Sequence, residues 1–201
     1  SKAGLPKGSF PLEVIEIDTL FKKGASPDCC GYRYATVAGD NYDSGWVAAE
    51  LGRKKGVYSK LLGEIKTLQE IYGCGTHPHI IVDQGSEFGS AMKYAAAAMC
   101  QRPVVETGKG ASQELNKAER ANKSLRHYAL LLAQQANLPL RPIWGAAIMA
   151  ASFLVNSLPS STRAGTGYSN ARNGQKNKVN CVLPFGTLVH VSLTKEERRK
   201  R

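Results

Sequence analysis

Ile80-Ile81-Val82-Asp83 is an apolar run that ends in an acid, and it stands between two stretches of helical periodicity. A short, wholly apolar run of this kind reads as a strand buried on both faces. Upstream, Val57, Leu61, Leu62, Ile65, Leu68 and Ile71 recur at helical spacing and stop at Gly73, which describes a helix with one apolar face. Downstream, Ser90 to Met99 reads as an alanine-rich helix, and Pro103 to Thr107 as another strand. Strands alternating with helices predict a sheet covered by helices.

Further outward, Leu12-Glu13-Val14-Ile15-Glu16-Ile17-Asp18 reads as a strand that follows Pro11 and ends at Asp18. Tyr32 to Val37 and Gly45 to Leu51 are two more, paired across the turn-forming Gly39-Asp40-Asn41. A long helix begins between Ser112 and Lys117, with Ser112 as its N-cap, and runs to about Ala136. Its core stripe is Ala118, Leu125, Ala129 and Leu132, and Asn137 and Pro139 end it. An apolar helix follows over Ile143 to Asn156, with Trp144 in an ordinary core role. Pro159 to Lys178 reads as a loop or extension, and Val182 to Leu193 returns to strand-like composition. The fold class is α/β, with a mixed five-stranded sheet flanked by helices.

At 201 residues the chain suits one domain of ordinary size. No run of apolar residues reaches the length of a membrane-spanning helix, so no membrane partner is expected. Five scattered cysteines, Cys29, Cys30, Cys74, Cys100 and Cys181, form no disulfide framework, which points to a reducing, intracellular setting. Cys74, His77 and His79 lie close together, but a structural zinc site takes four ligands and no second pair stands at a suitable spacing. The net charge is +11, and no Asp or Glu occurs between Glu119 and Glu196, a half that carries Arg120, Lys123, Arg126, Arg141 and five further cations. Such a surface faces an anion, most commonly nucleic acid.

Between Asp83 and Glu119 lie thirty-five residues, Gln84 through Ala118. With Asp18, these acids make three carboxylates, the donor set of a two-metal phosphoryl-transfer site. Magnesium takes oxygen ligands, so two Mg2+ ions, or Mn2+ in their place, are the expected cofactors. On the long helix Glu119, Asn122, Lys123 and Arg126 share a side; the plain reading of that side is a solvated, salt-bridged face.

Two local sequences carry a resemblance. Asp83-Gln84-Gly85-Ser86-Glu87-Phe88 resembles the Asp-Asn-Gly-x-Glu-Phe of retroviral-type integrase catalytic cores. Ala118-Glu119-Arg120-Ala121-Asn122-Lys123-Ser124-Leu125 resembles their Ala-Glu-Arg-x-Asn-Arg-Thr-Leu. Trp46-Val47, Trp144, Asn156-Ser157-Leu158-Pro159 and Phe185-Gly186 are similar to the copia-type retrotransposon pattern. Gln84 and Leu115-Asn116 depart from it, the latter standing where the family has Asn-Gly. The resemblance implies a ribonuclease H-like fold, with Asp18, Asp83 and Glu119 as catalytic metal ligands. It further implies strand transfer joining element ends to target DNA, with 3′-end processing in some members. Asn122, Lys123 and Arg126 would lie where the family's helix meets DNA, and Lys109 in its active-site loop. Residues 1–158 would form the catalytic core and 159–201 a basic C-terminal extension. A homo-oligomer and a nuclear location follow from the same resemblance. Two other readings stay open: a catalytically inactive nucleic-acid-binding or assembly module, and a nuclease of the same fold that cleaves RNA in hybrids.

Overall fold

The structure, a computed structural model, describes residues 8–22, 26–42, 46–54, 59–72, 78–83, 89–100, 105–107, 116–159 and 183–187, with residues 69, 71–72, 83, 90–92, 99–100, 105–107 and 116 described by their backbone. Its strands are β1 (Val14–Phe21), β2 (Tyr34–Asp40), β3 (Val47–Gly52), β4 (His79–Asp83) and β5 (Val105–Thr107). Its helices are α1 (Ser59–Tyr72), α2 (Ser90–Cys100), α3 (Asn116–Gln135) and α4 (Leu140–Ser157). Four strands form the body of a mixed sheet in the order β3-β2-β1-β4, and the three-residue β5 pairs parallel to the end of β4. β1 to β3 are antiparallel neighbours, whereas β1 and β4 run parallel.

Alternation along the strands sorts the core into two layers. Ile15, Ile17, Ala38, Ala48, Ile80 and Val82 pack with Leu61, Ile65 and Leu68 of α1 and Ala96 of α2. On the other face Leu20, Ala35, Val37 and Val47 pack with Ala121, Leu125 and Ala129 of α3 and Trp144, Ala147, Ile148 and Ala151 of α4. Among the described residues no single helix is long and apolar enough to cross a membrane.

Several boundaries differ from the sequence reading. β1 begins at Val14, because Leu12 holds φ +64°, a left-handed conformation that no strand residue adopts. The strand also runs past Asp18 to Phe21, since β2 continues to pair with it through Phe21↔Tyr34. Gly39 and Asp40, read as a turn, instead extend β2 by pairing with Glu16 and Ile15. α4 starts at Leu140 and takes Pro142 into its first turn, where a missing N–H costs no helical bond. Leu183–Thr187, within a stretch of strand-like composition, forms a turn, with Gly186 at φ +83° and the Thr187 N–H donating to the Pro184 carbonyl. The proposed N-cap Ser112 and the Cys74 and His77 pair lie outside the described residues.

The end of α3 follows the sequence reading. Asn137 has φ +53°, its N–H donates to the Gln134 carbonyl, and the Leu138 N–H donates to the Ala133 carbonyl. These two bonds are the Schellman closure, which satisfies the last carbonyls of a helix. α4 then departs at a bend of 118° and crosses the same sheet face.

Polar anchors tie α4 down. Asn156, buried near its C-terminal end, accepts from the Val47 N–H at 2.9 Å and donates to the Val47 carbonyl, so its amide serves the strand as a neighbouring strand would. Near its start, the Gly145 N–H donates to buried Asp28 at 2.9 Å. A Cβ at Gly145 would lie 2.6 Å from that carboxylate and 3.0 Å from Leu51, whereas one at Gly63 on α1 meets nothing within 4 Å. Gly145→Ala is therefore expected to lower the unfolding free energy by about 1–3 kcal/mol, the range for overpacking. Gly63→Ala should raise it by about 0.5–1 kcal/mol by removing helical glycine entropy. Urea denaturation followed by tryptophan fluorescence checks both signs.

Candidate active site

The parallel ladder between β1 and β4 ends at Ile17↔Val82, and the next residues on the two strands are Asp18 and Asp83. On its other side Asp83 is paired with Thr107 of β5, while Asp18 is paired with Val37 of β2. The two acids thus follow the last paired residues of the two strands, where the parallel ladder finishes at the carboxyl end of β4. In open α/β sheets, ligands bind in the crevice beyond such carboxyl ends.

α3 is fastened over this point by Glu16, two residues before Asp18 on β1. Glu16 is buried, and its carboxylate accepts from the Lys117 N–H at 3.1 Å and the Ala118 N–H at 3.2 Å. Those N–H groups belong to the first turn of α3, where no intrahelical acceptor exists. Asn41 donates to the other Glu16 oxygen at 2.6 Å. The cap of α3 thus comes from the sheet. Burial is the largest influence on Glu16 and raises its pKa above the ordinary 4.5, opposed more weakly by the two backbone N–H groups and by Lys117 and Arg120.

With its first turn fixed, α3 sets the next residues in place. Asn122, one turn in from Glu119, is buried and donates from its amide to an Asp18 carboxylate oxygen at 2.6 Å. The other Asp18 oxygen accepts from the Thr19 N–H at 2.7 Å. These two bonds hold Asp18, half-buried, in one orientation. Two buried polar atoms beside it, Thr19 Oγ1 and Asn122 Oδ1, have no hydrogen-bond partner.

Glu119 lies in the first turn of α3 on its exposed side and pairs with Lys123 at 2.9 Å. The Lys123 ammonium, hydrogen-bonded and opposite in charge, lowers the Glu119 pKa below the ordinary value. Lys123 and Arg126 are exposed, whereas Asn122, grouped with them in the sequence, points inward to Asp18. Lys109 lies outside the described residues. Among the described residues no three His, Cys, Asp or Glu side chains converge. The three acids singled out in the sequence, Asp18, Asp83 and Glu119, are all carboxylates, a donor type that suits a hard divalent cation such as Mg2+ and not a soft one.

Sequence reasoning passed over Glu16 and Asn122 as positioning groups. An acid at Glu16, inside an apolar run and in the same alternation as Asp18, was the available signal.

No protein-family model matches the chain, and no curated protein matches it. Solved structures do. A chain of the simian T-cell lymphotropic virus intasome, solved in complex with PP2A regulatory subunit B56 gamma, matches with a TM-score of 0.63 at 18% identity over 95% of this chain. This chain spans 63% of the length of that one. The HTLV-2 integrase catalytic core domain in complex with magnesium matches in its trimeric form with a TM-score of 0.56 at 19% identity. Its dimeric form gives 0.55 at 18%, and each match covers 82% of this chain and 99% of that one. The chain therefore has a fold similar to that of integrase catalytic cores.

Because the native chain holds the Glu16 proton more tightly than the unfolded chain does, this group's contribution to stability is fullest below pH 4.5 and declines as pH rises through its raised pKa. Glu16→Gln is expected to flatten that slope, as read by urea denaturation at a series of pH values. Glu16→Ala, which removes every acceptor, should cost about 1–3 kcal/mol at neutral pH.

Proposed function

We propose that the chain is the catalytic core of a metal-dependent DNA strand transferase of the integrase kind, closest to those of copia-type retrotransposons, with a ribonuclease H-like fold. The observation that carries this reading is the seating of α3: Glu16 and the Asn122–Asp18 bond bring the helix bearing Glu119 over β1 at the point where its ladder with β4 stops. Fold likeness to integrase cores and the two motifs around Asp83 and Glu119 support the same reading.

Asp18, Asp83 and Glu119 are the groups that would hold two Mg2+ or Mn2+ ions. When bound, such ions activate the attacking oxygen and stabilise the leaving oxygen of an in-line displacement at phosphorus. The residues of the chain supply position and charge. Asn122 holds Asp18 in one orientation, and Lys123 pairs with Glu119 and lowers its pKa. Lys109, Lys123 and Arg126 take up DNA phosphates, and Asn122 lies buried on the same helix as the latter two. The nucleophile is a DNA 3′-hydroxyl, or water in end processing, so no covalent enzyme intermediate forms.

Residues 1–158 form the core of this proposal and 159–201 a basic extension, whose turn at Leu183–Thr187 packs beside Ala136 and Leu138. A homo-oligomer working on nuclear DNA completes it. The second reading, a DNA-binding or assembly module without catalysis, draws on the Glu119–Lys123 ion pair, which occupies the acid in the absence of metal.

Strand joining by the chain, assayed with Mg2+ or Mn2+ and labelled duplex ends, separates the two. Asp18→Asn, Asp83→Asn and Glu119→Gln should each reduce joining by roughly a hundredfold or more while DNA affinity persists. Normal joining by Asp83→Asn would overturn the catalytic reading. Asn122→Ala should reduce joining by roughly tenfold and shift its metal requirement upward, as the loss of a group that orients a metal ligand does.

A further inference from the structure

Beyond the acids, a cleft of about 420 Å³ opens between the end of β1 and the crossing of α3 and α4. Its lining combines apolar Phe21, Leu130 and Trp144 with buried Lys22 and the exposed Arg126 and Arg141. Among the described residues no Asp or Glu lines it. That volume lies within the range of small-ligand sites, roughly 300–1,000 Å³. Lys22 spends its ammonium on the Ser26 carbonyl at 2.5 Å, while Arg126 and Arg141 are exposed. Phe21 is braced edge-on by Tyr34, with ring centroids 5.7 Å apart. An aromatic lining beside two exposed guanidinium groups selects a ligand with a flat apolar body and negative charge.

We propose that this cleft seats an unstacked nucleotide of the DNA strand held at the acids, its base against Phe21 and Trp144 and its phosphates against Arg126 and Arg141. The proposal rests on the DNA reading above, and geometry ties the cleft to it. Asn122 and Asp18 join α3 to β1 at one point, and both elements then lead to the cleft. Three strand residues from Asp18 to Phe21 span about 10 Å. Seven helical residues from Glu119 to Arg126 span about 10.5 Å. At about 3.4 Å per stacked nucleotide, the cleft is reached about three nucleotides from the reactive end. Stacking of bases on aromatic side chains beside a cationic groove is how proteins hold single strands.

The test is binding of a short single-stranded oligothymidylate to the full chain at low salt, followed by tryptophan emission. Trp144 lines the cleft, whereas Trp46 is buried in the layer on the other face of the sheet and serves as internal reference. The oligothymidylate should quench Trp144, and an abasic strand of equal length and charge should bind roughly tenfold more weakly. Arg141→Ala should weaken the oligothymidylate by roughly tenfold. Lys66→Ala, which removes the same charge from exposed α1, should have little effect. Leu130→Gln should reduce the preference for the base-bearing strand without altering binding of the abasic one. Equal binding of the two strands, or equal effects of Arg141→Ala and Lys66→Ala, would overturn the proposal. So would tighter binding of an acidic aromatic peptide, which would assign the cleft to a protein partner. Strand joining on the same preparation keeps the two claims apart: joining without base-dependent binding removes the cleft alone, and base-dependent binding without joining removes the catalytic reading alone.

Discussion

A buried carboxylate at Glu16 is the constraint on which the arrangement depends. Ionised carboxylates are costly to bury unless donors surround them, and Glu16 meets that condition by taking two N–H groups from the first turn of α3 and one from Asn41. The same bonds serve the helix, whose first N–H groups have no acceptor of their own. Neither partner is satisfied without the other, so strand and helix are docked in one register. Two other buried acids repeat the device. Glu50 of β3 accepts from the Leu61 N–H in the first turn of α1 at 2.9 Å, and Asp28 accepts from the Gly145 N–H of α4 while also binding the Cys30 and Tyr32 N–H groups.

This pattern divides the acids by environment. Glu16, Glu50 and Asp28 are buried, and backbone N–H groups donate to each of them. Asp18 is half-buried and Glu119 exposed, each held by one side chain of α3 that a cation could outcompete or coexist with. The first set holds the helices where the second set can meet a ligand. Because the spacing of Glu16 and Asp18 puts both on the α3 face of β1, docking the helix and orienting the Asp18 carboxylate are one structural act. The acid-free run after Glu119 then leaves the α3–α4 surface to cations, from Lys123 at the acids to Arg141 at the distant cleft.

Much of this was legible in the sequence where one period dominated. The apolar stripe of α1, the run Ile80-Ile81-Val82 and the left-handed stop at Asn137 each follow from local pattern. Gly39 and Asp40 misled because pairing with β1 outweighs the turn preference of Gly-Asp-Asn, a tertiary effect that no window reveals. Asp18 looked terminal because apolar character falters there, although β2 carries the ladder to Phe21. The inward turn of Asn122 was hidden for a different reason. Helical spacing groups it with Glu119, Lys123 and Arg126, but only the crossing of α3 over β1 decides which of the four meets the sheet. Asn156 shows the reverse: its motif was visible, and its role as a surrogate strand neighbour for Val47 required the fold.

Anomalous diffraction from crystals soaked in Mn2+ tests the central claim most directly. Two ions about 3.5–4 Å apart, bound by Asp18, Asp83 and Glu119 with Lys123 released from Glu119, is the result expected of a two-metal strand transferase. Crystals that bind no manganese at these carboxylates, with Lys123 still paired to Glu119, would contradict it.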